Sequence, residues 1–199
     1  MARKSGSSAE KTRPLVQAAA KRLFARHGYA AVSMRQIAAE VGVQAGALYL
    51  YTPDKQGLLF GLLNTHMEEV LAAWAVVDPG GDAGTRLQAF VEFHIPHHLE
   101  RLEAVFISYM ELRNLTSENF ATIEALRRSY ENRLEDILKA GVSEGRYRLE
   151  DTKLTTMAII AMLNGVNTWY KESGRLSRAQ VVEIYVDMVK RAVGVSARE

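Results

Sequence analysis

The chain has 199 residues, 48% of them apolar, and a formal net charge of only +2, enough for one large or two small packed units. It contains no cysteine, which excludes a disulfide framework and a thiolate zinc site and agrees with a reducing, cytoplasmic setting. The opening MARKSGSSAEKTR lacks the apolar core of a secretory signal, and the longest apolar run, Met157 to Leu163, is too short to span a bilayer. No membrane is expected as a partner.

Charge is unevenly placed. Residues 1–60 hold nine Lys and Arg (Arg3, Lys4, Lys11, Arg13, Lys21, Arg22, Arg26, Arg35, Lys55) against Glu10, Glu40 and Asp54, a net +6, which leaves −4 for the remainder. A basic head on a mildly acidic body is the footprint of a nucleic-acid module joined to something else.

Residues 1–11 are small, polar and basic, and read as a flexible arm able to lie along phosphates. A first helix is predicted from about Pro14, since proline suits a first helical position, to His27. Val16, Ala19, Ala20, Leu23 and Phe24 form its apolar face. Gly28 ends it.

Residues 33–55, SMRQIAAEVGVQAGALYLYTPDK, are the centre of the chain. Ser33 and Gln36 have the spacing of a capping box. Met34, Ile37, Ala38 and Val41 then recur at helical spacing, and Gly42 follows where a left-handed residue can end the helix. Gln44 opens a second helix with Ala47, Leu48 and Tyr51, and Pro53 stops it. Helix, glycine turn and helix make a helix-turn-helix, whose second helix enters the DNA major groove.

A long helix is predicted from Asp54 or Lys55 to about Val77, followed by the loop Asp78-Pro79-Gly80-Gly81-Asp82. Further helices are expected over about Ala83–Ile95, His97–Leu115 beyond Pro96, Ser117–Ser143, Glu150–Glu172 and Ser177–Val193. No stretch alternates with period two between hairpin turns, so the fold class is all-α with about nine helices. The expected organisation is a basic arm (1–11), a helix-turn-helix head (12–54) and a ligand-binding and dimerisation body (55–199).

The head resembles the DNA-binding signature of the TetR family of bacterial transcription regulators. The match runs from Leu15–His27 through Gly28-Tyr29, Ser33, Ile37-Ala38, Val41-Gly42-Val43, Gly46 and Leu48-Tyr49 to Pro53, Lys55 and Leu58-Leu59. Three positions depart from it. Thr52 replaces a usual phenylalanine, Ala45 a frequent lysine, and Leu50 a frequent polar residue, departures that bear on the operator sequence.

Double-stranded operator DNA is the expected partner of the head. Affinity for DNA comes mainly from phosphate neutralisation and specificity from base edges. Phosphate candidates are Ser33, Arg35, Tyr49, Tyr51 and Lys55. The resemblance implies backbone contacts for Tyr49 and Lys55. Base-edge candidates are Gln44, Ala45, Gly46 and Arg35: a glutamine pairs with adenine, and an alanine methyl meets the thymine methyl. Leu48 reads as core.

In the body, polar and aromatic residues are interleaved with aliphatic ones, as in a mostly apolar pocket with a few placed polar groups. Phe90, His94, Phe106, Tyr109, Met110, Arg113, Asn164 and Asn167 are the candidate ligand-binding residues. The two asparagines interrupt an apolar helix at i, i+3 and need a partner: a ligand, a facing helix or a second subunit. His94, His97 and His98 raise a metal reading, but Pro96 disturbs their helical geometry and Glu92 and Glu100 read as surface residues. No metal and no cofactor is expected.

Met157–Leu163 is apolar without a break, and Val181 to Val193 is apolar over most of a helix circumference. Such helices are buried on more than one side, and near a chain end the second side fits another subunit. Two half-sites on DNA likewise need two heads. The expected homodimer interface is Met162, Gly165, Trp169, Val181, Tyr185, Met188 and Val189, which agrees with the TetR resemblance. Trp169-Tyr170, Gly174-Arg175-Leu176-Ser177 and Val181 to Val193 are similar to the end of TetR members that respond to acyl-CoA thioesters. That similarity suggests a branch of the family without identifying a ligand, and the expected inducer is a small hydrophobic molecule, an acyl-CoA thioester or another amphiphile.

The functional expectation is a homodimeric, sequence-specific repressor released from its operator by ligand. No nucleophile elbow, phosphate-binding glycine loop or HExxH occurs, so nothing in the sequence supports an enzyme. The alternatives are an enzyme on an all-α scaffold and an unregulated architectural DNA binder, and the large apolar body speaks against the latter.

Overall fold

A computed structural model describes residues 6–194. Among the described residues every regular element is helical: α1 (Gly6–His27), α2 (Met34–Val41), a 3-10 segment (Ala45–Leu50), α3 (Lys55–Val77), α4 (Ala83–Leu99), α5 (Leu102–Met110), a 3-10 turn (Leu112–Asn114), α6 (Ser117–Ser143), α7 (Thr152–Trp169) and α8 (Arg178–Ala192).

Two prolines behave differently from expectation. The first helix begins at Gly6 and carries Pro14 inside it, so only residues 1–5 of the expected arm lie outside the described residues. Likewise α4 runs through Pro96 to Leu99, and the chain turns at Glu100, whose N–H donates to the Pro96 carbonyl at 3.1 Å. A proline removes one backbone bond and crowds the preceding turn. In α4 that cost is outweighed because Ile95, His97, His98 and Leu99 are all buried.

The chain divides into two compact units, Met1–Glu68 with Glu103–Leu126, and Glu69–Leu102 with Arg127–Glu199. The first unit therefore contains the helix-turn-helix together with α5 and the start of α6, a stretch that composition assigns to the body. Val16, Ala20, Phe24, Val32, Ile37, Leu48, Leu59 and Leu63 are among its buried core residues.

In the second unit α4 packs against α7 and α8. Trp74 meets Phe90 edge-on at 5.1 Å between ring centroids, and Phe90 stacks on Tyr130 at 5.3 Å. Leu87, Leu134, Ile137, Ile159 and Leu163 complete this core. The loop after α3 is pinned by a bidentate pair, in which Arg86 Nε and Nη2 donate to Asp78 at 2.9 and 2.7 Å. That hydrogen-bonded guanidinium holds the Asp78 carboxyl below its ordinary range. Tyr147 lies against Gly141 where no Cβ fits, and its hydroxyl donates to the Ala83 carbonyl at 2.9 Å.

Candidate nucleic-acid interface and effector core

The first helix of the helix-turn-helix starts as its sequence dictates. The Ser33 side chain accepts from the Gln36 N–H, and the Gln36 side chain accepts from the Ser33 N–H at 2.7 Å. Gly42 ends α2 with φ +76°, a left-handed conformation that strains residues bearing a Cβ. Val43 N–H then donates to the Ala38 carbonyl at 3.0 Å and closes the turn.

The second helix is a six-residue 3-10 segment and not an α-helix. Its bonds run back three residues, from Ala47 N–H to the Gln44 carbonyl at 2.9 Å and from Tyr51 N–H to the Leu48 carbonyl at 2.8 Å. Gln44 makes no side-chain cap, and Gly46 and the nearby Pro53 disfavour a longer α-helix. Leu48 is fully buried, in agreement with the core role read from sequence. Its neighbours face outward, with Tyr49 58% and Leu50 76% exposed. Ser33, Arg35, Gln44 and Gly46 are exposed, and Ala45 and Tyr51 are half-buried. Thr52, in the place of the usual aromatic, is buried against Gly57, and its hydroxyl donates to the Asp54 carbonyl at 2.9 Å.

Two cations of the head are tied to backbone. Arg13 Nη1 donates to the Tyr51 carbonyl at 2.9 Å, at the end of the 3-10 segment. Lys55, expected from sequence on a phosphate, donates its ammonium to the carbonyls of Tyr29 at 2.9 Å and Val32 at 2.8 Å, and lies 4.2 Å from the Tyr29 ring centroid. Gln56 Nε2 donates to the Tyr29 hydroxyl at 3.0 Å and to the Asn114 carbonyl, and its Oε1 accepts from Thr116 N–H at 3.3 Å. Asn114 Nδ2 in turn donates to the buried Glu111 carboxylate at 2.6 Å. Sequence reasoning missed Gln56 and Arg13. Both act on backbone groups far away in the chain, so no local spacing could mark them.

The core of the second unit holds a polar and aromatic line. His94 is buried, with Nδ1 3.0 Å from the Tyr130 hydroxyl and Nε2 3.2 Å from Asn164 Oδ1. With Asn164 Oδ1 as acceptor, Nε2 carries the proton and Nδ1 accepts from Tyr130. His98 Nδ1 donates to the His94 carbonyl at 2.8 Å, and the two rings stack at 3.9 Å. The geometry across Pro96 is thus regular helix, contrary to the expected disturbance. Burial pulls His94 and His97 down to about 4, so both are neutral at physiological pH. Three further buried nitrogens, Trp74 Nε1, His97 Nε2 and Asn167 Nδ2, have no hydrogen-bond partner among the described residues.

Of the expected ligand residues, Phe90, His94 and Asn164 come together. Phe90 and His94 are 5.8 Å apart between ring centroids, and Asn164 finds its partner on the facing helix. Asn167 follows one turn along α7. Phe106, Tyr109, Met110 and Arg113 belong to the first unit, where all four are exposed.

The expected subunit interface also divides. Along α7, Leu154, Met157, Ala158, Ala161 and Trp169 form an exposed stripe, and nothing lies within 4 Å of the Cβ position of Gly165. On α8, Ile184 and Met188 are exposed, and the half-buried Tyr185 stacks on Trp169 at 6.4 Å. Met162 is half-buried. Val181 and Val189 are fully buried inside their own chain, so they pack the protomer and do not contribute to that face. Their apolar character had made the outer and inner sides of α8 indistinguishable.

A capped helix-turn-helix with an outward recognition segment, carried by an all-α chain with a polar-lined core, defines a DNA-binding regulator. The sequence matches bacterial regulatory proteins of the tetR family over residues 17–62, and the tetracyclin repressor-like C-terminal domain over residues 80–193. The chain belongs to the tetR family of bacterial transcription regulators.

It is 26% identical over 188 residues to the HTH-type transcriptional repressor KstR2 of Rhodococcus jostii, covering 93% of this chain and 91% of that protein. A tetR-family regulatory protein from Rhodococcus RHA1 superposes with a TM-score of 0.88 at 29% identity, over 94% of this chain and 99% of that one. AibR, solved in complex with isovaleryl coenzyme A and operator DNA, superposes with a TM-score of 0.81 at 27% identity, over 89% and 97% of the two chains. Among the described residues no helix is long and apolar enough to cross a membrane.

Proposed function

We propose that the protein is a homodimeric transcriptional repressor that leaves its operator when a small hydrophobic ligand, an acyl-CoA thioester, enters the core of the second unit. The observation that carries the ligand reading is the polar line in that core, with the unpartnered nitrogens of Trp74, His97 and Asn167. Buried polar groups without partners are rare in native folds, and ligand pockets are where a few of them are held ready. Asn and Trp nitrogens donate only, which suits a ligand bearing a carbonyl oxygen. The AibR complex with isovaleryl coenzyme A supports the thioester class.

At the operator, Arg35, Ser33, Tyr49 and Tyr51 serve the phosphates, and Gln44, Ala45 and Gly46 meet base edges. The exposed stripe of α7 with Ile184 and Met188 is the surface for a second copy, which supplies the other head. The helix α3 contributes residues to both units, so a ligand that prefers one state of the second unit can bias the first. In this reading the protein acts by binding alone.

The test is anisotropy of a labelled operator, selected from random duplex, against a panel of acyl-CoA thioesters and the matching free acids. Release by a thioester is the expected result. Specific DNA binding that no member of the panel alters would overturn the ligand class. Failure to select any specific duplex would overturn the repressor.

A further inference from the structure

We propose that Lys55 is a positioning residue of the DNA-binding head, holding the helix-turn-helix closed from inside instead of neutralising an operator phosphate. The location of its partners is the argument. Val32, one residue before the cap of α2, and Tyr29, in the crossing from α1, both give their carbonyls to the Lys55 ammonium at 2.8 and 2.9 Å. Lys55 itself opens α3, five residues after the end of the 3-10 segment. One side chain therefore joins the entry of the helix-turn-helix to its exit. The Tyr29 ring, 4.2 Å from the ammonium, covers the charge further.

An ammonium has three donors, and two are spent on charge-assisted bonds to main chain. A phosphate could draw Nζ away only by breaking both, with Val32 buried beneath it. The next residue extends the same closure, since Gln56 holds the Tyr29 hydroxyl and both the Asn114 carbonyl and the Thr116 N–H. Arg35, exposed on α2, has no such engagement with the backbone of the crossing and is the contrasting case.

Two measurements test this. The first uses wild-type protein: reductive methylation of lysines, read by peptide mass spectrometry, with and without a selected operator. Lys55 should react more slowly than exposed Lys171 in DNA-free protein, and operator should add no protection. Fast methylation of free Lys55 with strong protection by operator would overturn the proposal.

The second is the salt dependence of operator affinity for wild type, Lys55→Met and Arg35→Ala. Losing one phosphate contact lowers the slope of log K against log[salt] by about 0.9. Lys55→Met should weaken binding by about tenfold or more while keeping the wild-type slope, since two bonds to a charged group are lost. Arg35→Ala should lower the slope. A Lys55→Met slope reduced by about 0.9, with affinity otherwise retained at low salt, would refute positioning. Should the variant fail to fold, the wild-type methylation still decides.

Discussion

Acidification should weaken the second unit through His94, and the size of the effect follows from its burial. The ring is fully enclosed between Tyr130, Asn164 and His98, and its proton affinity falls from 6.5 to about 4. Between those values the unfolded chain binds a proton that the folded chain refuses. Stability therefore rises with pH through that window and is lost as pH falls from 6.5 toward 4. Between pH 7 and pH 5 the loss from this one group is about 2 kcal/mol. Urea unfolding at both pH values, followed by circular dichroism at fixed protomer concentration, measures it. His94→Gln removes the titration while keeping an amide within reach of Tyr130 and Asn164. The variant should lose about 2 kcal/mol less than wild type over the same pH step, whatever its stability at pH 7. Other titrating groups are common to both proteins and cancel in the comparison. Equal losses in the two would show that His94 does not resist protonation, and the account of a dry core around it would be wrong.

Other perturbations read other parts of the fold. Ser33→Ala removes the capping box of α2 and should cost about 1 kcal/mol of unfolding free energy, with a parallel fall in operator affinity seen by anisotropy. Gly141→Ala forces the Tyr147 ring off α6 and should lower stability by about 1–3 kcal/mol in thermal unfolding, through overpacking and the lost bond to the Ala83 carbonyl. Ile184→Asp together with Met157→Asp should leave a folded monomer by circular dichroism and sedimentation velocity, because both side chains are already exposed in the single chain. A dimer that survives this pair would place the subunit contact on another surface.

Much of the architecture was legible in the sequence because it is decided locally. Ser33 with Gln36 starts α2 by bonds that span three residues, and the expected capping box forms. Gly42 stops α2 through its own dihedral preference, and the loop after Val77 follows from its Pro, Gly and Asp content. The misplaced elements are those where packing overrode local chemistry. Pro14 and Pro96 sit inside helices, the latter because its neighbours are worth more buried than an unbroken bond ladder. The candidate sites were legible by type but not by partner. His94 and Asn164 stand 70 residues apart and meet only in the fold, and the Lys55 ammonium finds carbonyls 26 and 23 residues upstream. Residue identity told Lys55 from a core residue, but no local spacing marked its bonds to the Tyr29 and Val32 carbonyls.

The first unit is built from two separate lengths of chain, which bears on how such regulators can be recombined. A graft that exchanges only residues up to the loop after α3 would carry Gln56 without the Asn114 and Thr116 that its amide grips. The donor head would then rest on foreign sequence at Glu103–Leu126, and its recognition surface would inherit whatever angle that sequence imposes. A faithful chimera of this protein has to transplant both lengths together, so operator specificity here travels as a discontinuous cassette and not as an N-terminal tag.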